Sequence, residues 1–75
     1  MEPLRYQWGR NIRKRRQAMQ LTQRQLADLL GVDQGAVSGW EIGRNGPSDR
    51  YKIALAKALE IDANLLFPLP SQAVA

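Results

Sequence analysis

The chain has 75 residues, of which 11 are basic and 7 acidic, and it contains neither cysteine nor histidine. A domain of this size buries only about 60% of its extended surface, and disulfides and the usual zinc ligands are excluded. Packed helices must therefore stabilise it, with dimerisation as an optional further source. No apolar segment approaches the roughly 20 residues of a membrane span, and the N-terminus lacks a signal-peptide pattern, so the expected location is the cytoplasm.

Basic side chains are concentrated in the first third of the chain. Residues 1–24 carry seven of the eleven basic groups and one acid, Glu2, whereas the remaining residues carry four basic and six acidic groups. A basic segment on a small domain suggests a polyanionic partner, and nucleic acid is favoured over a membrane surface. A solvated helix face explains the same charge equally well if nothing else supports binding.

The first predicted helix covers about residues 6–19. Trp8, Ile12, Arg15 and Met19 are spaced by four, three and four positions, which places them on one stripe of a helix. Arg15 is the polar member of this apolar stripe. We expect its stem to pack on the core while its head reaches water.

A second and a third helix follow with a short turn between them. Thr22 and Gln25 form a capping box at the start of the second helix, and Gly31 ends it because glycine tolerates left-handed backbone. Asp33 then caps a third helix over residues 34–41.

Two further helices complete the predicted fold. Ser48 caps a fourth helix that runs to about residue 59, and Asp62 caps a short fifth helix. Their predicted buried residues are Ile53, Leu55, Ala56, Leu59, Leu65, Leu66 and Phe67. The sequence therefore predicts an all-α, compact five-helix domain over residues 1–67, followed by a short flexible tail over residues 68–75.

The second and third helices have the lengths and the connection of a helix-turn-helix, whose second helix lies in the major groove of DNA. Ala27 lies where the two helices approach closely, and Gly31 makes the turn. Small or polar residues occupy the positions expected to face outward. These are Gln34, Gly35, Ala36, Ser38 and Gly39.

Several short motifs occur in register between residues 12 and 67. They are LTQ at 21–23, QLA at 25–27, LGV at 30–32, VS at 37–38, WEIG at 40–43, PS at 47–48 and LAKAL at 55–59. With these motifs the sequence resembles the phage-repressor and Cro-type (XRE) helix-turn-helix family over about three quarters of the chain. The resemblance implies the five-helix repressor fold and binding of double-stranded DNA.

The resemblance also implies roles for individual residues. The third helix would read the bases, and Gln34 would form paired hydrogen bonds with an adenine edge. The other residues of this helix expected to take part in base readout are Gly35, Ala36, Ser38 and Gly39. Gln23 would pack on Gln34 and bind a phosphate. The residues expected to contact or position the DNA backbone are Thr22, Gln23, Asp33, Arg44 and Asn45.

Two further pairs of residues have implied structural roles. Arg16 and Glu41 are expected to form an ion pair that links the first helix to the end of the third. Ile61 and Leu69 are candidates for a dimer interface near the last helix. Because Gly35 and Gly39 stand where relatives often carry longer side chains, we expect few direct base contacts and a contribution from DNA shape.

Two functions from different classes remain open. The first is a transcriptional regulator, in the main a repressor, that binds a pseudo-palindromic operator as a homodimer. The alternative is an antitoxin or accessory module that binds DNA together with a partner protein. An enzyme is poorly supported because most acid–base and nucleophilic sites need His or Cys. No cofactor, metal, membrane or small-molecule ligand is expected.

Overall fold

Five helices follow one another along residues 2–69, the part of the chain that the computed structural model describes. They are α1 (Leu4–Ala18), α2 (Gln23–Leu30), α3 (Gln34–Glu41), α4 (Asp49–Ala58) and α5 (Ala63–Leu66). No strand occurs in residues 2–69, and the all-α five-helix prediction is confirmed. Within the same range, no helix is long and apolar enough to cross a membrane.

The ends of α2 and the start of α3 are set by local hydrogen bonds. Thr22 Oγ1 accepts from the Gln25 N–H at 3.0 Å, and Gln25 Oε1 accepts from the Thr22 N–H at 2.8 Å, which is the predicted capping box. Gly31 ends α2 with φ of 69°, a left-handed value that glycine adopts without strain. The Asp33 carboxylate accepts from the Gly35 N–H at 2.8 Å. These bonds confirm the predicted bounds of both helices.

The first helix begins two residues earlier than predicted. It follows Pro3, whose fixed φ suits a helix start, and it ends at Ala18. Arg15 is half-buried, and its head binds carbonyl groups at the end of α4, with the Nη2 bond at the exposed surface. Its Nε donates to the Leu59 carbonyl at 2.8 Å, and its Nη2 donates to the Glu60 carbonyl at 3.2 Å. The cation thus satisfies carbonyl groups at the C-terminal end of α4, where the helix dipole favours positive charge.

One apolar core joins all five helices. Its fully buried side chains are Ile12, Leu26, Val37, Leu55, Leu59 and Leu66. Two predicted core residues are wrong, because Ile53 is 58% exposed and Leu65 is 69% exposed. Ile53 lies two positions from Leu55, about 200° around the helix, so both cannot face the core. Leu65 lies one position from the buried Leu66 in a single-turn helix.

The residues after α5 remain in contact with α1. Trp8 Nε1 donates to the Pro68 carbonyl at 3.2 Å, and the Trp8 ring meets Phe67 edge-to-face at 5.8 Å. Pro68 was placed in the flexible tail by the sequence, but it is half-buried and hydrogen-bonded. Leu69 follows and is 48% exposed. Residues 70–75 of the predicted tail lie outside the described residues.

Candidate nucleic-acid interface

Helices α2 and α3 form one packed unit through a three-residue turn. Ala27 is only 1% exposed, which places it in the close contact that its small side chain permits. Its carbonyl accepts from the Val32 N–H at 3.0 Å, while the Gly31 N–H donates to the Asp28 carbonyl at 3.3 Å. The turn is therefore fixed by backbone hydrogen bonds to the last turn of α2.

The two ends of α3 have different environments. Val37 is fully buried, and Trp40 is 7% exposed and packs on the Tyr51 ring of α4 at 5.6 Å. Gln34 and Gly35 at the start of the helix are exposed. Among residues 2–69 the Gln34 side chain has no hydrogen-bond partner, so its amide is available to a ligand.

Arg16 of α1 and Glu41 at the end of α3 form a buried ion pair. Arg16 Nε donates to Glu41 Oε2 at 2.6 Å, and Nη2 donates to Oε1 at 3.0 Å. Nη1 donates to the Leu21 carbonyl at 2.7 Å. The hydrogen bond from Glu41 raises the pKa of Arg16 above its ordinary value, while burial opposes the rise. The guanidinium therefore stays charged, and it links α1, the α1–α2 turn and α3.

Gln23 joins this buried pair. Its Nε2 donates to Glu41 Oε1 at 3.0 Å, so the carboxylate accepts from two side chains. The family resemblance implies that Gln23 packs on Gln34, and in the structure its amide binds Glu41 at the other end of α3. A primary amide nitrogen carries two hydrogens, and the bond to Glu41 uses one of them.

The residues predicted to read bases differ in exposure. Gln34 and Gly35 are exposed, and Ala36 and Ser38 are half-buried. Gly39 is buried, which corrects the prediction that it faces outward. The loop after α3 covers it: the Gly39 carbonyl accepts from the Arg44 N–H at 2.9 Å, and Asn45 Nδ2 lies 3.7 Å from where a Cβ would stand.

Gly35 is the second residue of α3 and lies beside the Asp33 cap. A Cβ at this position would lie 2.8 Å from Asp33 Oδ2, the same atom that accepts from the Gly35 N–H. Because that oxygen is the end of a movable side chain, a small shift of the carboxylate would accommodate a Cβ. The cap of α3 therefore does not require glycine at this position.

The residues predicted to contact or position the DNA backbone lie at three places. Thr22 is exposed and Gln23 half-buried at the start of α2, and Asp33 is exposed at the start of α3. Arg44 and Asn45 are exposed in the loop that follows α3. The first and third places come before and after the exposed start of α3 in the chain.

A sequence profile described as helix-turn-helix matches residues 12–66, which is most of the chain. The chain belongs to the helix-turn-helix family of DNA-binding transcriptional regulators.

Two curated helix-turn-helix proteins show similarity in sequence. Repressor protein C2 of Salmonella phage P22 is 34% identical over 58 residues, which cover 77% of this chain and 27% of the repressor. The HTH-type transcriptional regulator DicA of Escherichia coli K12 is 40% identical over 52 residues, which cover 69% of this chain and 38% of DicA. The match to this chain thus covers less than two fifths of each relative's length.

Two solved structures share the helix-turn-helix fold over nearly their full lengths. The restriction-modification controller protein C.AhdI from Aeromonas hydrophila superposes with a TM-score of 0.79 at 36% identity, covering 84% of this chain and 96% of C.AhdI. The clp gene regulator ClgR from C. glutamicum superposes with a TM-score of 0.84 at 25% identity, covering 100% of this chain and 97% of the ClgR chain. Both are regulators by description, as the family assignment implies.

Arg24 is a candidate contact of the helix-turn-helix that the sequence reasoning missed. It is exposed in the first turn of α2 and lines a shallow cleft with Asp33 and Gln34. A basic residue directly after Gln23 was the available signal, because the start of α2 is where a phosphate is expected to bind.

The predicted dimer candidates lie at an apolar groove between α1 and α5 or just beyond it. The groove has a volume of about 280 Å³ and is lined by Asn11, Lys14, Arg15, Ala18, Ile61, Leu65 and Leu66. Ile61 is half-buried in it, and the exposed Leu65 forms part of its wall. Residues 2–69 contain no cluster of three or more His, Cys, Asp or Glu residues able to hold a metal ion.

Proposed function

We propose that the protein is a sequence-specific regulator that represses transcription by inserting α3 into the major groove of operator DNA. One observation carries the proposal: α3 is fixed at its C-terminal half by Val37, Trp40 and Glu41, while its first turn is exposed with an unpaired Gln34 amide. A helix held in this way presents its first turn rigidly, so little backbone conformational entropy is lost on binding.

Gln34 is the main base-reading residue in this proposal. Its amide offers one acceptor and two donors, which complement N6 and N7 of adenine. Ala36 and Ser38 are half-buried and short, and Gly39 is covered by the following loop. The remaining specificity is therefore assigned to DNA shape, and fewer than four bidentate contacts are expected per half-site.

The DNA backbone is contacted on both sides of Gln34. The donors at the start of α2 are the Gln23 backbone N–H, the Gln23 amide hydrogen that Glu41 does not use, and the Thr22 hydroxyl, because the Thr22 N–H already donates to Gln25. Arg44 and Asn45 offer exposed donors after α3. Asp33 acts through the cap of α3 and positions Gln34 instead of contacting a phosphate, because two anions repel.

A homodimer is proposed because one such domain reads too little DNA for secure specificity. Two-fold symmetry would place the two copies of α3 about 34 Å apart, in successive major grooves of a pseudo-palindromic operator. Ile61 and Leu69, together with Leu65, are the apolar residues assigned to the interface. Leu65 and Leu69 are among the few large exposed apolar side chains of residues 2–69.

The test is in vitro selection from random duplex DNA at about 0.15 M salt, with the mass of the protein measured alone and bound. The proposal predicts an enriched two-fold motif whose half-sites are one helical turn apart and which binds two copies of the chain. Absence of enrichment, with only salt-sensitive binding to every duplex, would contradict sequence-specific readout.

The groove beside α5 also favours the second candidate, an antitoxin or accessory module. In that case a partner protein, not a second copy, covers Ile61 and Leu65. The same mass measurement separates the two functions. A chain that stays monomeric on its selected DNA would support the accessory module and contradict the homodimer.

A further inference from the structure

The first turns of α1 contact the loop that follows α3. Residues 2–11 precede the region that the family profile matches. Arg5 Nε donates to the Gly43 carbonyl at 2.8 Å, and the Arg5 guanidinium lies 5.1 Å from the centre of the Tyr6 ring. These contacts join segments that are 38 residues apart in the chain.

Two glycines of this loop, Gly43 and Gly46, allow side chains of α1 to pack closely on its backbone. Gly43 is buried with φ of 79°, and a Cβ there would lie 2.6 Å from Tyr6 Cε1, so no side chain fits under the ring. At Gly46 a Cβ would lie 3.6 Å from Arg5 Cβ and 3.7 Å from the Trp8 ring. The loop is thus in contact with α1 at both glycines.

The residues between these two glycines are the ones proposed to meet the DNA backbone. Arg44 and Asn45 are exposed, whereas the backbone on either side of them packs on Arg5, Tyr6 and Trp8. A loop held before binding loses less conformational entropy when it meets a phosphate. A loose loop would lose more, and DNA affinity would fall without any change in the bases read.

We propose that Arg5 and Tyr6 are positioning residues for DNA binding: they fix the loop at Gly43 so that Arg44 and Asn45 are presented to the phosphates beside α3. This inference rests on the proposed function. Arg5 itself binds the loop, because its half-buried side chain donates to the Gly43 carbonyl. The effect of Arg5 on affinity therefore depends entirely on the loop residues that it positions.

The experiment is a double-mutant cycle measured by fluorescence anisotropy on the selected operator, below the unfolding transition of every variant. Arg5→Ala is expected to raise Kd about three- to tenfold, which is the size of effect expected when one contact is lost. The preferred DNA sequence should stay the same. In a background of Arg44→Ala and Asn45→Ala, the same substitution is expected to change Kd less than twofold. Lys57→Ala, at an exposed residue of α4 outside the groove, removes the same charge and serves as control.

Two results for Arg5→Ala would contradict the inference. If the effects of Arg5→Ala and the loop substitutions multiply, and each lowers the salt dependence separately, Arg5 is itself a phosphate contact. If Arg5→Ala lowers only the unfolding temperature, its role is structural. If Arg5→Ala does not fold, Arg5→Met, which keeps the aliphatic stem, replaces it. Wild-type protein that prefers no sequence contradicts the proposed function as well, whereas wild-type specificity with an unaffected Arg5→Ala contradicts the inference alone.

Discussion

The guanidinium of Arg16 and the carboxylate of Glu41 meet through two hydrogen bonds of 2.6 and 3.0 Å, with both residues buried. This pair determines how α3 is oriented on the domain, because Arg16 also binds the α1–α2 turn through the Leu21 carbonyl. Gln23 binds the same carboxylate, so the start of α2 and the end of α3 share one buried charge. The reading edge at Gln34 is therefore supported from the far end of its helix.

Breaking the buried pair is expected to destabilise the fold strongly. Arg16→Met leaves the Glu41 carboxylate buried without its cation, and such losses cost about 3–5 kcal/mol. Urea unfolding measures the change. The control is Arg10→Ala, which removes an exposed pair with Glu2 and should cost less than about 1 kcal/mol. Equal effects of the two substitutions would mean that the buried pair has no special role.

Removing the reading amide is expected to change specificity and leave the fold intact. Gln34→Ala should cost about 1–3 kcal/mol of binding on the cognate site and relax the preference at one base position. Gln34 is exposed and unpaired within residues 2–69. The free energy of unfolding of the Gln34→Ala protein should therefore differ from that of the wild type by less than about 0.5 kcal/mol. Anisotropy titrations against operators substituted at each position measure both the loss and its location. If Gln34→Ala weakened binding equally to every substituted operator, Gln34 would be a contact of the DNA backbone and not of a base.

Filling the contact between α2 and α3 is expected to damage the helix-turn-helix. Ala27→Leu adds three carbon atoms where the side chain is 1% exposed, and overpacking of this kind costs about 1–3 kcal/mol or more. Leu29→Ala on the same helix is the control, because Leu29 is 63% exposed and its loss should matter little. Thermal unfolding compares the two, and an Ala27→Leu protein as stable as the wild type would refute the close contact.

A charge in the groove beside α5 is expected to weaken dimerisation. Leu65→Glu should lower the fraction of dimer and the affinity for the two-fold operator, since a carboxylate is costly to bury in an apolar interface. Leu65 is 69% exposed, so the monomer should fold normally. Ile53→Glu, at a residue 58% exposed on α4, is the matched control. Sedimentation velocity measures the mass, and equal dimer fractions in both variants would place the interface elsewhere.

The features that the sequence predicted correctly are those set by local chemistry. The capping box of Thr22, the left-handed turn at Gly31 and the Asp33 cap each depend on residues within a few positions, and α3 has the predicted bounds. The ion pair of Arg16 with Glu41 was expected only from the family resemblance, and the structure brings the two residues together.

The features that the sequence missed depend on how distant segments pack. Helical spacing excludes that Ile53 and Leu55 both face inward, but only the position of α4 on the core decides which of the two does. Gly39 is covered by Asn45 from a loop whose path is set by α1. The hydrogen bond from Arg5 to Gly43 spans 38 residues and has no local signature. Likewise, nothing in the α2 sequence indicates that Gln23 binds Glu41.

The central claim is that the exposed start of α3 reads a DNA sequence. The most direct measurement compares Kd for the selected operator with Kd for a scrambled duplex of the same length at about 0.15 M salt. Sequence-specific binding predicts a ratio of at least about 10³, the lower bound for specific regulators. Equal affinities for the two duplexes, which fall together as salt rises, would contradict sequence readout by α3. Binding would then come only from non-specific attraction between the basic domain and the phosphates.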